Sequence, residues 1–441
     1  MLTVLQVREA MASQYFPARS VLFQKESSGV TYRIPALIYL PRCRCFLAFC
    51  EERLTPADNQ AHLLAMRKGT FHKSYVEWKD MQVLSTARLP GHRSMNPCPV
   101  YDDFTGTVFL FFIAVLGHTS ESYQLTTGKN VTRLCFVSSS DQGDTWSSVT
   151  DLTKTVIGDT IKEWATFAVG PGHGTQLKSG RLIIPAYAYH IDCRNCFGKK
   201  CKTSAHSFCF YSDTHGKVWH YGKALVAPES VECQMVSIDE EDGVSVLYCN
   251  ARSSSGCRVQ AISFNKGAVF DDGQLVQKLV EPRNGCQGSV IGFPAPFSPL
   301  RQSQHLLEQP TSLGLQRWSP ENFLAATWVI YTHPTWSNAR RDLGVYLSLL
   351  PRDPDSWLGP WVIYDGPSAY SDLAYVDLMS ADAPAVTVFA CLFENGTRTA
   401  YEEISFCMFT LYELINHLPR NEHKTRGLMK RKRIWERCSV S

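Results

Sequence analysis

Ser139-Ser-Asp-Gln-Gly-Asp-Thr-Trp146 is the stretch that decides the fold. Its Asp accepts backbone N–H bonds across a turn, its Gly takes positive φ, and its Trp plugs in underneath. The same phrase returns as Ser263-Phe-Asn-Lys-Gly-Ala-Val-Phe270 and, in worn form, as Ser212-Asp-Thr-His-Gly-Lys-Val-Trp219. In the worn copy the Asp stands one place early and Val218 replaces Thr, which is expected to cost local turn stability and leave chemistry untouched. A polar turn recurring once per supersecondary unit indicates a repeat architecture. Between the turns lie short apolar segments bounded by Gly, Asn, Asp and Pro, at 36–40, 45–49, 133–137, 181–185, 244–248, 328–331 and 386–391. Helical periodicity is scarce before 410–418. The pattern predicts an all-β, six-bladed β-propeller with Asp-box turns, a single domain with four strands per blade. About 390 residues shared among six blades gives roughly 65 each, enough for four strands and their loops.

The chain has 441 residues, 44% apolar and 19% charged, which is ample for a core. A net charge of +3 gives no reason to expect a polyanionic partner, and no nucleic acid is expected. The longest apolar run, 108–116, is strand length, so no membrane-spanning helix is expected. The N-terminal MLTVLQVREAMASQYF carries Glu9 inside its apolar stretch and lacks a clean apolar signal region. An intracellular address without a signal peptide follows, and with it reduced thiols for the 16 cysteines. Cys193-x2-Cys196-x4-Cys201 has no second Cys or His pair at matching spacing, so no metal is expected. The Asn130 and Asn395 glycosylation patterns carry no meaning in a chain that stays out of the secretory lumen.

Residues 1–20 read as an N-terminal extension, 21–416 as the propeller with a polar surface insert at 298–322, and 417–441 as a basic tail. Within the tail, Lys430-Arg-Lys-Arg433 suits the acidic groove of a nuclear import receptor. The same charges suit an anionic membrane surface, with Trp435 and an acylated Cys438 as anchors on an endomembrane or organelle. The nuclear reading is favoured because four consecutive basic residues are denser than lipid adsorption requires.

Tyr32-Arg33-Ile34-Pro35, the Asp-box turns, Arg252 in Asn-Ala-Arg, and Arg340 before Asp342-Leu-Gly344 together resemble the exo-α-sialidases, or neuraminidases. His92-Arg-Ser-Met-Asn-Pro-Cys98, Trp164-Ala-Thr-Phe-Ala-Val-Gly-Pro-Gly-His173, Gly285-Cys-Gln-Gly-Ser289 and Tyr370-Ser-Asp-Leu373 resemble the vertebrate intracellular branch. Cys196-Phe-Gly-Lys199, Val290-Ile-Gly-Phe-Pro-Ala-Pro296 and Phe109-Leu-Phe-Phe-Ile-Ala-Val-Leu-Gly-His118 are most similar to its fourth subtype. The match covers about residues 20–416, and its specificity lies in the combination of motifs.

The resemblance implies retaining hydrolysis of terminal α-linked sialic acids from glycoproteins, oligosaccharides and gangliosides, with no cofactor. A sialic acid carries a carboxylate on its anomeric carbon, and the planar Arg fork binds carboxylate bidentately without losing its proton. By resemblance Arg33, Arg252 and Arg340 form that clamp, with Glu394 steadying Arg33. An anionic nucleophile would be repelled by the same carboxylate, and sialidases are the Tyr-nucleophile exception among retaining glycosidases. Tyr370 matches that nucleophile, and Glu232 matches the base a phenol of pKa near 10 requires. Asp58 aligns with the acid/base, with Glu51 and Glu52 as rival carboxylates nearby. Arg53 is expected beside the clamp. Ile34, Met95, Tyr187 and Tyr189 match walls of the sugar pocket, and Glu121 and Gln287 match further polar contacts. A catalytically dead propeller that binds sialylated glycans as a lectin is the rival reading. It needs only the arginines, and it leaves Asp58, Tyr370 and Glu232 without a purpose.

Overall fold

The computed structural model describes residues 19–72, 74–196, 200–239, 245–296, 327–380 and 383–419. The 298–322 insert, the Lys430–Arg433 cluster and all but the end of the N-terminal extension lie outside the described residues.

Strands dominate, in antiparallel sheets laid down one after another along the chain. The first sheet holds Thr31–Leu40, Cys45–Arg53, Ala61–His72 and Tyr75–Trp78, and the second His92–Asp102, Thr107–Leu116, Thr132–Ser139 and Thr150–Asp151. The third holds Trp164–Val169, Leu182–Cys196, Lys200–Ser212 and His220–Tyr221, and the fourth Val231–Asp239, Ser245–Arg252, Cys257–Ser263 and Gln274–Val280. A seven-stranded sheet runs from Ser289–Pro294 through Thr327–Pro334 and Arg341–Ser348 to the long Trp357–Ser380. It continues through Ala383–Asn395 and Glu403–Thr410 to Ser20–Gln24.

The leading strands touch in succession. Thr31–Leu40 lies against His92–Asp102, which meets Trp164–Val169; Leu182–Cys196 meets Val231–Asp239, which meets Ser289–Pro294. Trp357–Ser380 then returns against Thr31–Leu40, so the sheets form a propeller-like ring. Ser20–Gln24 pairs with Glu403–Thr410, Ser20 opposite Phe406 and Gln24 opposite Glu403, and thereby ties the start of the ring to its end.

The core lies between neighbouring sheets. Successive side chains of a strand point to opposite faces, so a strand covered on both sides feeds two clusters. Phe109, Phe111 and Ile113 pack with Phe167, Ile184 and Phe208 of the third sheet, while Leu110, Phe112 and Ala114 pack with Leu47, Phe49 and Met66 of the first. This double burial explains why 108–116 is apolar without interruption. Phe111→Ala in such a site costs about 3–5 kcal/mol.

The repeated turns staple one sheet to the one before it. In the first copy Ser139 Oγ accepts from Gly143 N at 2.8 Å and Asp141 Oδ1 from Thr145 N at 2.9 Å. Hydrogen bonds from Thr145 and Ser139 hold the Asp141 carboxyl down to about 2. Ser263 and Asn265 repeat the pattern at 2.9 and 2.8 Å. In the worn copy Thr214 Oγ1 takes the acceptor's place, receiving Val218 N at 2.8 Å while Ser212 Oγ receives Gly216 N at 3.0 Å. The worn turn therefore keeps its acceptor geometry: Thr214 stands in for Asp, and Asp213 pairs with Arg181 at 2.6 Å instead. The three glycines have φ of 87°, 79° and 87°. A Cβ there would stand 2.9 Å from Leu47 of the first sheet, 2.3 Å from Phe109 of the second and 2.7 Å from Cys209 of the third.

The helix Leu411–His417 falls where periodicity placed it, with a capping box between Thr410 and Glu413. Glu121–Thr127, capped by Ser120, was not foreseen. The free thiols include Cys233, Cys249 and Cys286, but Cys193 is disulfide-bonded, which corrects the expectation that every cysteine is reduced. Among the described residues no helix is long and apolar enough to cross a membrane, which says nothing of a β-barrel.

Candidate active site

At one end of the ring the leading strands break their regular pairing. Register shifts fall between Arg33 and Ala36, Met95 and Cys98, Val231 and Cys233, and Ser368 and Ser371. A bulge bends its strand and re-aims side chains. Ile34, Asn96 and Glu232 accordingly take positive φ of 63°, 57° and 31°, a rare conformation for L residues and a strained one for β-branched Ile. The irregular stretches bring Arg33, Ile34, Glu232 and Tyr370 onto one cavity of about 610 Å³.

Tyr370 is 6% exposed, and its hydroxyl donates to Glu232 Oε1. Burial first, then the negative charge of Glu232, pushes the phenol well above its ordinary value, so it keeps its proton in the resting site. Arg252 Nη1 donates to Glu232 Oε2 at 2.6 Å and to the Tyr370 oxygen at 3.2 Å. The Arg33 and Arg340 guanidiniums stand 5.5 and 5.4 Å from the Tyr370 ring. Three cations thus face one phenol whose proton already has an acceptor.

Each guanidinium is held from behind. Glu394, fully buried, accepts from Arg33 Nε at 2.9 Å and Nη2 at 3.2 Å, and also from Ile34 N and Tyr370 N. One carboxylate therefore fixes the Arg33 guanidinium, the strained bulge and the backbone of Tyr370. Arg252 donates to the Asn284 carbonyl at 3.1 and 2.5 Å, and Arg340 to the Gly285 carbonyl at 3.0 Å. Tyr401 was not anticipated from sequence: Arg33 lies 4.0 Å over its ring and Arg340 Nη1 reaches its hydroxyl at 3.4 Å.

Asp58 sits in the short helical turn Asp58–Gln60 with its side chain 74% exposed. Arg53 Nη1 reaches it at 2.6 Å and Arg33 Nη1 at 3.8 Å. Desolvation by the surrounding chain raises this carboxyl, but Arg53 and Arg33 outweigh it and hold the group below its ordinary value. The rival carboxylates are spoken for. Glu51 is buried, accepts from Arg53 Nε at 2.7 Å and Asn96 N at 2.7 Å, and Glu52 pairs with His62 at 3.6 Å. Arg53 is thus a bridge between Glu51 and Asp58 and lines a side chamber of about 90 Å³ with Ile34 and Met95.

Tyr187 and Tyr189 stand two apart on Leu182–Cys196, on one face, with rings 6.1 Å apart. Both line the main cavity with Glu121, the first residue of its helix. Glu121 is exposed to solvent, yet desolvation by the chain around it and the charges of Glu232 and Asp58 push it up to about 7. Gln287 is not on the cavity wall. Buried, it donates to the Pro171 and Ser371 carbonyls at 3.2 and 3.0 Å and accepts from Ser371 N, bracing the strand behind Tyr370. The expected direct contact from Gln287 is corrected to support. Among the described residues no cluster of His, Cys, Asp and Glu could hold a metal ion.

A cavity with three anchored guanidiniums at its floor and a phenol–carboxylate pair beside an aspartate suits an anionic sugar, and the class is that of propeller-fold glycoside hydrolases. Residues 57–381 match the family described as BNR repeat-like domain. Sialidase-4 of Mus musculus is 47% identical, over 91% of this chain and 95% of that protein, and Sialidase-4 of Homo sapiens is 46% identical over the same shares. Sialidase-3 of Homo sapiens is 44% identical over 90% of this chain and 94% of its own length. Among solved structures, the Hadza microbial sialidase Hz136 shares the fold with a TM-score of 0.69 at 20% identity, covering 90% of this chain and 69% of that one. The chain belongs to the sialidase, or neuraminidase, family.

Proposed function

We propose that this protein is an exo-α-sialidase that removes terminal α-linked sialic acids from glycoproteins, oligosaccharides and gangliosides with retention of configuration. The observation that carries the reading is the Tyr370 hydroxyl donating to Glu232 between Arg252 and Arg340. The substrate carboxylate lies against Arg33, Arg252 and Arg340, in line with the preference of guanidinium forks for carboxylates. Tyr370 Oη attacks the anomeric carbon while Glu232 takes its proton, and Asp58 protonates the departing glycosidic oxygen. Asp58 then deprotonates water, which releases the sugar as Glu232 returns the proton to Tyr370. Arriving negative charge on the clamp offsets the cations that hold Asp58 ionised, so the acid gains its proton when substrate is bound. Ile34, Met95, Tyr187, Tyr189 and Glu121 wall the sugar, and every group in the scheme is a side chain.

The ring is six blades on this reading. The seven-stranded sheet counts as two, sharing Trp357–Ser380, whose first part pairs with Arg341–Ser348 and whose second pairs with Ala383–Asn395. Proton NMR of the earliest product from a fluorogenic α-sialoside tests the mechanism: the α-anomer should come first, and the β-anomer first refutes it. No turnover at all with retained glycan binding would establish the lectin instead. Lys430–Arg433 is proposed to direct nuclear import. Alanines there should move a tagged protein to the cytoplasm, whereas release from membranes by Cys438→Ser alone would favour lipid anchoring.

A further inference from the structure

Beneath the clamp lies a buried ionic cluster that no sequence motif marks. Arg258 and Glu281 are 0% and 2% exposed, and His333 is 1% exposed. Arg258 Nη1 meets Glu281 Oε1 at 2.9 Å, and His333 Nε2 meets Glu281 Oε2 at 3.1 Å. Arg258 Nε donates to Asn250 Oδ1 at 2.7 Å, two residues before Arg252 on the same strand. The partners of this cluster converge on one segment. Glu281 accepts from Cys286 N at 2.9 Å and from Ser253 N at 3.3 Å, and Arg258 Nη1 donates to the Cys286 carbonyl at 2.7 Å. Both ends of the turn from Glu281 to Cys286 are thereby tied to the same ion pair.

The middle of that turn is what the clamp rests on. Asn284 and Gly285, at φ of 65° and 70°, offer their carbonyls to Arg252 and Arg340 respectively. A Cβ on Gly285 would stand 2.8 Å from Arg252 Cγ and Nε, so the turn presses directly on that side chain. Nothing in the cluster lines the substrate cavity. A buried ion pair is by itself a weak source of stability, whereas removing one of its partners leaves an uncompensated charge.

We propose that the Arg258–Glu281–His333 cluster is a positioning device that sets the separation and aim of the Arg252 and Arg340 guanidiniums through the 282–286 turn. It rests on the reading of those arginines as a carboxylate clamp. Loosening the turn weakens the grip on the substrate carboxylate, while Tyr370 and Glu232 keep each other and Asp58 keeps Arg53. Its signature is a change in KM and in product affinity that exceeds the change in kcat.

The test uses the full chain with a fluorogenic α-sialoside and, separately, free sialic acid as the binding probe. Wild type and Arg252→Lys come first: no turnover in wild type, or unchanged kinetics in Arg252→Lys, removes the clamp reading itself. With both as expected, Glu281→Gln should raise KM and the Kd for sialic acid about tenfold, with kcat falling less than about threefold. Gly285→Ala perturbs the same turn directly, setting a Cβ against Arg252 and the Ser253 carbonyl, and leaves the buried pair intact. At a φ of 70° it should lower the melting temperature somewhat and give the same split in the folded protein, and it keeps the turn's role testable if Glu281→Gln does not fold. Unchanged KM and Kd in Gly285→Ala, or a loss confined to kcat in a folded Glu281→Gln, overturns the proposal.

Discussion

Replacing Glu394 by Gln is the most demanding single change, because one side chain serves three parts of the site. Its two oxygens accept four N–H groups, two from Arg33 and one each from Ile34 and Tyr370, in a fully buried position. Gln has nearly the same shape, but its amide nitrogen brings a donor to face donors, and buried Arg33 keeps only the exposed Asp58 carboxylate at 3.8 Å. Breaking a buried pair from one side costs roughly 3–5 kcal/mol. With about 2.1 cal/mol/K of unfolding entropy per residue over 441 residues, roughly 0.9 kcal/mol/K in all, the melting temperature should drop about 3–5 °C. Activity should fall further than stability. Two charge-assisted hydrogen bonds at about 1.5–3 kcal/mol each hold Arg33, so kcat/KM should decline at least about a hundredfold in the folded fraction. Calorimetry and sialoside kinetics on the same preparation measure both. A Glu394→Gln protein that melts within 1 °C of wild type and turns over normally would refute the account of how the clamp is held.

Tyr370→Phe removes one oxygen and should abolish nearly all turnover while circular dichroism and melting stay near wild type; appreciable kcat would take the nucleophile's role from it. As the proposed acid, Asp58 must be protonated to act and is held low by Arg53 and Arg33, so kcat/KM should fall as pH rises. Arg53→Met, which removes the cation at 2.6 Å, should shift that descending limb to higher pH, and an unmoved limb would sever the link. Glu121, pushed up to about 7, should contribute an inflection near neutrality that Glu121→Gln removes. Gly216→Ala drives a Cβ to 2.3 Å from the Phe109 ring at a φ of 79°, and should lower stability by about 1–3 kcal/mol while the folded enzyme keeps its KM.

What sequence reveals here is set by how local the cause is. The Asp-box turns are legible because donor, acceptor and glycine all lie within eight residues, and the 108–116 strand because both its faces are buried. Trp357–Ser380 was hidden by Gly359-Pro360 and Gly366-Pro367, which read as turns yet lie inside a continuous strand. Thr214 standing in for Asp was missed because only the geometry shows that a hydroxyl fills the same acceptor position. Arg33, Arg252, Arg340, Tyr370, Glu232 and Asp58 were placed by resemblance, and they do converge on one cavity. Tyr401 and the Arg258–Glu281–His333 cluster carry no local signal, since their partners lie tens to hundreds of residues away and meet only when the ring is assembled. Gln287 was misplaced because residue type fixes what an amide can bond, not which side of the strand it serves.

The pairing of Ser20–Gln24 with Glu403–Thr410 has a consequence for biosynthesis. Ser20–Gln24 has no hydrogen-bonded partner strand until nearly four hundred more residues have been made, and Arg19 meets Glu403 only then. Joining ends that far apart costs on the order of 5 kcal/mol of chain entropy, from (3/2)RT ln n. Until that moment Glu403–Thr410 has no partner on one side, an open edge on which another nascent chain can template. Fusing the two ends and opening the chain at an exposed loop would place these strands side by side in translation order. Such a permuted protein should emerge with fewer aggregates and an unaltered catalytic cavity.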